Sequence, residues 1–173
     1  MKRLILYLCM IHQERNVWSD PQNPTDVYSL PVVDSFDYDE IIITGGDFLR
    51  YKYQLRDLCR GVKDMFRCMG KKVSVLIHTY RGSWSDFDVI RSDINGLVYS
   101  PRSNEGLKYF REVNNKIMKD IVVRDNYKNY LIVNEDIIDG LPENTRCWQK
   151  ENRKSFFELV TQTDQRRVAI FWS

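Results

Sequence analysis

The chain has 173 residues, the usual length of one compact domain, and 43% of them are hydrophobic, enough apolar mass to exclude intrinsic disorder. No apolar run reaches the ~18 residues that a membrane-spanning helix needs, and the N-terminus lacks the features of a signal peptide, so we expect a cytoplasmic protein. The formal net charge of +2 is too small to indicate a nucleic-acid-binding protein by itself. We expect a single domain over residues 1–173.

The chain begins with a near-continuous apolar run, Lys2–Met10, which is typical of a strand buried on both faces. Residues 11–39 carry three prolines and no sustained periodicity, so we expect a long irregular excursion there. Glu40–Thr44 is the second predicted strand, and Gly45-Gly46 ends it in a way that permits a positive φ or the close approach of another group. Apolar residues at helical spacing predict a helix from Tyr53 to Met69.

The second half of the chain continues this alternation of strand and helix patterns. The further predicted strands are Lys71–His78, Ile94–Ser100, Tyr130–Val133 and Val168–Trp172. The further predicted helices are Ser85–Ile90, Leu107–Ile117 and Ser155–Thr161.

Strands that alternate with helices imply right-handed crossovers and a mainly parallel sheet, which places the chain in the α/β class. About six strands are too few for the eight of a closed barrel, so we predict an open (β/α) part-barrel. A flavodoxin-like open sheet is the alternative. In both architectures, ligands bind at the carboxyl ends of the strands.

The four cysteines show neither the paired spacing of a metal site nor the framework of a secreted disulfide protein. They are Cys9, Cys59, Cys68 and Cys147. Cys59 and Cys68 fall in the helical pattern after Tyr53, so we expect both to be small, buried hydrophobic side chains.

Polar side chains follow the predicted strands at their carboxyl ends. Each of them alone more often caps a helix or faces solvent, so the prediction of a site depends on their convergence. They are Cys9, His12, Asp47, His78, Thr79, Tyr80, Ser100, Arg102, Asn134 and Glu135.

The segment IIITGGDFL (Ile41–Leu49) runs from an apolar strand into a Gly-Gly-acid turn, where a bare backbone edge lies beside one carboxylate. It resembles the Gly-Gly-Glu motif of the radical S-adenosylmethionine (SAM) superfamily, which follows the second strand of a part-barrel and contacts the amino group of SAM. A Gly-Gly-Asp variant is common in the small glycyl-radical activating enzymes. The Ser-Pro-basic ending of the fourth strand, Ser100–Arg102, is similar to that of the 7-carboxy-7-deazaguanine synthases.

This resemblance covers about residues 1–119, in which helix, third strand and fourth strand follow the motif in the order of that superfamily. With the strand-end rule, it implies that SAM or an analogue would contact a set of five residues. They are Gly45, Gly46, Asp47, His78 and Ser100.

The sequence departs from the superfamily after the first strand, where its members hold a [4Fe–4S] cluster with three thiolates, usually spaced Cys-x3-Cys-x2-Cys. Cys9 is followed by no second cysteine until Cys59, and Phe48 replaces the proline that normally follows the Gly-Gly-acid motif. We therefore predict no iron–sulfur cluster and no radical chemistry. SAM or an analogue is the cofactor that the resemblance leaves open.

His12, His78 and Asp47 form a second candidate set, because two imidazoles and a carboxylate can hold a divalent metal and activate water. Neither histidine lies in a metal-binding spacing such as His-x-His. We therefore assign no metal ligands. We interpret His78 as a packing residue with one satisfied nitrogen, that is, one hydrogen-bonded ring nitrogen, and not as a metal ligand.

A third set of residues points to macromolecular partners. Trp18, Trp84 and Trp148 lie in irregular stretches, where aromatic side chains can anchor a protein interface, although we expect at least one of them to be core. Cations recur at three or four residues along one helix face, which indicates an ion-paired outer face or, alternatively, weak nucleic-acid binding. They are Lys52, Arg56, Arg60, Lys63 and Arg67.

These features favour a cluster-deficient radical-SAM-like protein that acts by binding a protein partner, in a regulatory or inhibitory role of the kind that phages and mobile elements use. One alternative is an enzyme that binds SAM or a related adenosyl ligand at the Gly-Gly-Asp turn. The other is a nucleic-acid-binding protein that uses basic helix faces. The chain has no Walker loop, Gly-x-Ser-x-Gly elbow or Gly-x-Gly-x-x-Gly fingerprint, so those enzyme classes lack support.

Overall fold

The structure is a computed structural model that describes residues 2–10, 37–45, 48–133, 135–152, 156 and 163–170. Its strands in these ranges are β1 (Arg3–Met10), β2 (Glu40–Gly45), β3 (Ser74–Thr79), β4 (Gly96–Tyr99), β5 (Tyr130–Val133), β6 (Gln149–Asn152) and β7 (Thr163–Ile170). Its α-helices are α1 (Lys52–Cys68), α2 (Trp84–Ile90), α3 (Asn104–Lys119) and α4 (Ile121–Asn126). Short 3₁₀-helices span Phe48–Tyr51, Arg91–Asp93 and Glu135–Gly140.

The strands form one sheet in the order β6-β5-β4-β3-β2-β1-β7, in which neighbouring strands run parallel. From β1 to β6, each strand is added at the same edge, and β7 returns to pair with β1. The predicted α/β class with a mainly parallel sheet is therefore confirmed. This strand order is compatible with the predicted part-barrel, and it differs from the order 2-1-3-4-5 of the flavodoxin-like alternative.

The helices α1 to α4 cover one face of the sheet. Buried residues of α1, α2 and α3, such as Phe66, Phe87 and Phe110, share a core with Ile43 and Ile77 of the strands. This one-sided arrangement follows from the strand order, because right-handed crossovers that always advance in one direction place their helices on the same side.

The opposite face of the sheet holds a smaller apolar cluster that includes Ile42 of β2, Leu76 of β3 and Val98 of β4. Phe156 packs on this cluster. Because successive side chains of a strand alternate between its faces, the residues two positions after these three share the same face. They are Thr44, His78 and Ser100.

A buried ion pair lies at the amino ends of the strands on this second face. Arg3 Nε donates a hydrogen bond to Glu40 Oε2 at 2.8 Å, and the two side chains are 4% and 0% exposed. Glu40 Oε1 also accepts from Lys128 Nζ at 3.2 Å. The guanidinium of Arg3 lies 4.3 Å from the centre of the Phe156 ring. The face therefore changes from charged at the amino ends, through apolar, to polar at the carboxyl ends.

Several details differ from the sequence prediction. β6 was not predicted, because Gln149–Asn152 is wholly polar and lies at the edge of the sheet, where no face is buried. α4 was not predicted either; it begins after Asp120, whose side chain accepts from the backbone N–H of Val123. β7 begins earlier than the predicted Val168–Trp172.

Some predictions lie outside the described residues. They include nearly all of the excursion at 11–39, the positions Gly46, Asp47 and Asn134, and most of the predicted helix Ser155–Thr161. Within the described ranges, no helix combines the length and the apolar character that crossing a membrane would require.

Candidate functional site

Three polar side chains form a hydrogen-bonded chain across the carboxyl ends of β2, β3 and β4. Thr44 Oγ1 lies 2.8 Å from His78 Nδ1, and His78 Nε2 lies 2.7 Å from Ser100 Oγ. The sheet register explains these contacts, since Ile43 is paired with Ile77 and His78 with Val98. The imidazole is therefore held between hydroxyl groups of the two neighbouring strands.

These three side chains lie largely out of solvent: Thr44 is 7%, His78 8% and Ser100 6% exposed. Polar groups removed from water are costly unless they are hydrogen-bonded, and the imidazole meets this requirement through both ring nitrogens. The expectation that His78 has one satisfied nitrogen is therefore wrong, because each ring nitrogen lies within hydrogen-bond distance of a hydroxyl oxygen.

The donor and acceptor roles in this chain are coupled. A neutral imidazole donates from one nitrogen and accepts at the other, while each hydroxyl has one donor and two acceptor positions. Ser100 can therefore donate to His78 Nε2 while Thr44 accepts from Nδ1, or the reverse. In either case the hydroxyl oxygens keep acceptor capacity, which a further hydrogen-bond donor could use.

Gly45 ends β2 directly after Thr44. Its φ is +154°, and a Cβ at this position would lie 2.4 Å from the carbonyl oxygen of Leu8. The predicted positive φ and close approach are both present, and the approaching group is the backbone of the neighbouring strand β1. The other two residues of the Gly-Gly-Asp motif, Gly46 and Asp47, lie outside the described residues.

The turn after β3 is fixed by hydroxyl groups. Thr79 Oγ1 donates to the carbonyl oxygen of Arg81 at 3.0 Å and accepts from the Arg81 N–H at 3.2 Å. The Tyr99 hydroxyl accepts from the Gly82 N–H at 2.9 Å and donates to the Gly82 carbonyl at 3.1 Å. Burial raises the pKa of Tyr99, so the phenol stays protonated and keeps this donor.

Two arginines contact one tyrosine at this edge of the sheet. The guanidinium carbons of Arg81 and Arg102 lie 5.5 Å and 5.6 Å from the centre of the Tyr80 ring. Distances in this range are typical of cation–π contacts. Tyr80 and Arg102 were among the predicted strand-end residues, whereas Arg81 was not singled out.

The alternative metal set is not assembled within the described residues. His12 and Asp47 lie outside them, and the described part of the chain contains no group of three or more His, Cys, Asp or Glu side chains suited to a metal. Metal binding by His78 would displace one of its hydroxyl partners, Thr44 or Ser100.

One of the two predictions of buried cysteines is confirmed and the other is wrong. Cys59 is fully buried, as expected, and burial raises the pKa of its thiol to about 12. The expectation that Cys68 is buried is wrong, because this last residue of α1 is exposed. Cys9 lies within β1.

The cations of α1 mostly lie beside carboxylates. The shortest of these contacts joins Arg60 Nε to Asp93 Oδ1 at 2.7 Å. Lys63 is the partly buried member of the set, and burial lowers the pKa of its amino group. Such contacts agree with an ion-paired outer face. The pairs are Lys52–Asp86, Arg56–Asp57, Arg60–Asp93 and Arg67–Asp64.

Trp148 is a core residue. It is 5% exposed, its indole N–H donates to Asn114 Oδ1 at 2.9 Å, and its ring packs against Tyr99 and Phe110. This corrects its interpretation as an interface anchor and confirms that at least one of the three tryptophans is core. Trp84 is half-buried against the same core, and Trp18 lies outside the described residues.

Comparison of the chain with protein-family models, curated proteins and solved structures finds no match in any of the three. The resemblance to the radical SAM superfamily therefore depends on the motifs of the sequence alone.

Proposed function

We propose that this chain is a binding protein that takes a small polar ligand at the carboxyl ends of β2, β3 and β4. Thr44, His78 and Ser100 form the polar floor of the proposed site. The observation that carries the proposal is their hydrogen-bonded chain, with 2.8 Å and 2.7 Å between successive partners.

The position of these three hydrogen-bonded side chains favours a functional role over a purely structural one. The same face of these strands is apolar two residues earlier, at Ile42, Leu76 and Val98. Continuing that apolar pattern would spare the protein the desolvation of an imidazole and two hydroxyls. The polar residues occur instead at the strand ends, where ligands of parallel α/β sheets bind.

The resemblance to radical SAM proteins selects an adenosyl compound as the first ligand to test. The Thr44 and Ser100 hydroxyl oxygens keep acceptor capacity beside the imidazole, and this suits the ribose hydroxyls and amino groups of such a ligand, because those groups donate hydrogen bonds. The residues do not suit an iron–sulfur cluster, which needs soft thiolate ligands, since Cys9 is the single cysteine before Cys59. We therefore propose binding without radical chemistry.

Calorimetric titration with SAM and S-adenosylhomocysteine tests this proposal. We expect Ser100→Ala and Thr44→Val each to weaken binding at least tenfold, about 1.4 kcal/mol. Ser74→Ala is the matched control, because Ser74 begins β3 at its amino end. Absence of binding to both compounds, or unchanged affinity in both site variants, would overturn the proposal.

The protein partner favoured by the sequence is the second proposal. Trp148 is no longer available as an anchor, which leaves Trp84 and Trp18. Nucleic-acid binding through α1 is weakened as a proposal by the carboxylates beside its cations. If neither adenosyl compound binds, a protein partner becomes the preferred function.

A further inference from the structure

We infer that Ser100 is a nucleophile activated by His78, and that it accepts the acyl group of a small carboxylic ester. The inference goes beyond the proposed function, which requires binding alone, and it does not depend on the identity of that ligand. Its basis is the contact between the two side chains, in which Ser100 Oγ lies 2.7 Å from His78 Nε2.

A serine hydroxyl becomes a good nucleophile when a neighbouring base takes its proton, and a third group usually orients that base. The base must lie within hydrogen-bond reach of the hydroxyl, about 2.6–3.2 Å. The structure meets both requirements, because Thr44 Oγ1 lies 2.8 Å from the other ring nitrogen, His78 Nδ1. When Nδ1–H donates to Thr44, Nε2 is the acceptor for the Ser100 proton.

The two ring nitrogens have the roles that they have in serine hydrolases, where Nε2 faces the nucleophile and Nδ1–H is held by the third residue. The sequence lacks a Gly-x-Ser-x-Gly elbow. Such constellations are nevertheless defined by geometry, and they recur on unrelated folds in different chain orders. Here the register of β2, β3 and β4 brings the three side chains together at the carboxyl ends of adjacent strands.

The backbone around the nucleophile is fixed, and a helix begins beside it. The Ser100 N–H donates to the Thr79 carbonyl oxygen at 2.9 Å, which joins the nucleophile to the residue after the base. A Cβ at Gly106 would lie 2.7 Å from the Tyr80 carbonyl oxygen, so the first turn of α3 packs on the chain that follows His78. The partial positive charge at a helix amino end favours the negative charge that develops on an acyl oxygen.

The proposed reaction involves no oxidation or reduction. Ser100 Oγ forms a bond to the carbonyl carbon of the ester while His78 Nε2 takes the hydroxyl proton. The bond from that carbon to the alcohol oxygen then breaks, and His78 returns the proton to the departing alkoxide. The products are an alcohol and an acyl ester of Ser100. Water hydrolyses this ester by the same steps, which releases a carboxylic acid and restores the Ser100 hydroxyl.

The third group sets the expected speed of acylation. Thr44 orients the imidazole but carries no charge, whereas a carboxylate in this position stabilises the imidazolium that forms. We therefore expect acylation to be slower than in a triad with a carboxylate. An activated ester, p-nitrophenyl acetate, is the appropriate probe.

Peptide mapping by mass spectrometry of the unaltered protein, after treatment with p-nitrophenyl acetate, is the first test. We expect an acetyl group on Ser100, formed at least about a hundredfold faster than on Ser74, because a general base contributes at least this factor. Ser74 is the internal control, since it begins β3 at the amino end, away from the imidazole. This readout does not depend on the folding of any variant.

Four variants then assign the roles. Ser100→Ala should remove the acetyl group, and Ser74→Ala should leave acetylation of Ser100 unchanged. His78→Gln should slow that acetylation about a hundredfold or more. Thr44 is a positioning residue: Thr44→Val should slow the reaction about tenfold, and Thr44→Ser, which keeps the hydroxyl, should restore it. Circular dichroism checks that each variant is folded.

Absence of acetylation at Ser100 in the unaltered protein, or an unchanged rate in folded His78→Gln, would overturn the inference. In that case, SAM binding that Ser100→Ala weakens would leave the proposed function standing. Conversely, His78-dependent acetylation of Ser100 without binding of either adenosyl compound would support the inference and contradict the proposed function.

Discussion

His78 Nε2 lies 2.7 Å from Ser100 Oγ and thereby links β3 to β4 at the carboxyl edge of the sheet. Thr44 holds the other ring nitrogen, so the orientation of the imidazole is set from both sides. A side chain fixed in this way can present its neighbours' hydroxyls in one geometry, which is what a binding site requires.

Replacing His78 with leucine should lower the free energy of unfolding by about 2 kcal/mol, because two buried hydroxyls lose their partner. Urea unfolding measures the change. If these polar residues are retained for function, the triple variant Thr44→Val/His78→Leu/Ser100→Ala should recover most of this loss, since the two hydroxyls that lost their partner are removed as well. A triple variant less stable than His78→Leu alone would indicate a structural role instead.

Trp148→Phe should cost about 1–3 kcal/mol of stability, because Asn114 Oδ1 loses its donor in a site that is 2% exposed. Chemical denaturation followed by circular dichroism measures the loss. Trp84→Phe is the comparison for ring size at a half-buried position and should cost less. Equal, negligible effects of both substitutions would contradict the core assignment of Trp148.

Arg3→Met should destabilise the protein by about 3 kcal/mol, the low end of the cost of breaking a buried ion pair, because Glu40 at 0% exposure loses its closer partner and keeps Lys128 Nζ at 3.2 Å. Arg3→Met/Glu40→Leu should regain much of that stability, since no charge is then buried alone. The exposed pair Arg67–Asp64 provides the control, and Arg67→Met should leave the unfolding midpoint nearly unchanged. Thermal unfolding that ranks Arg3→Met with this control would refute the account of the buried pair.

Alkylation at pH 8 should modify Cys68 rapidly and Cys59 only after unfolding. Burial raises the pKa of Cys59 to about 12, so its reactive thiolate is rare at this pH, whereas Cys68 is exposed. Mass spectrometry of iodoacetamide-treated protein identifies the modified sites, and Cys68→Ser should remove the rapid modification assigned to this residue. Rapid labelling of Cys59 in the folded protein would contradict its placement in the core.

The sequence predicted the sheet well where strands are apolar on both faces. Ile41–Ile43 and the run before His78 identify β2 and β3 by composition alone. The polar strand β6 has no such signal, because its place depends on pairing with β5 and not on burial.

The site was predicted in part. His78 and Ser100 were identified from their positions at strand ends, but Thr44 became a partner only through the register that pairs β2 with β3. Trp148 was misjudged because its partner Asn114 lies 34 residues earlier, and long-range contacts of this kind leave no local pattern.

Nitrogen-15 spectra of the imidazole rings show whether a ligand binds at His78, because the protein has two histidines and His78→Gln assigns their signals. Both ring-nitrogen signals of His78 should shift when an adenosyl ligand saturates the protein, and Ser100→Ala should abolish that response at the same ligand concentration. Ligand binding that is measurable by calorimetry but leaves the His78 signals unchanged would place the site elsewhere and contradict the account.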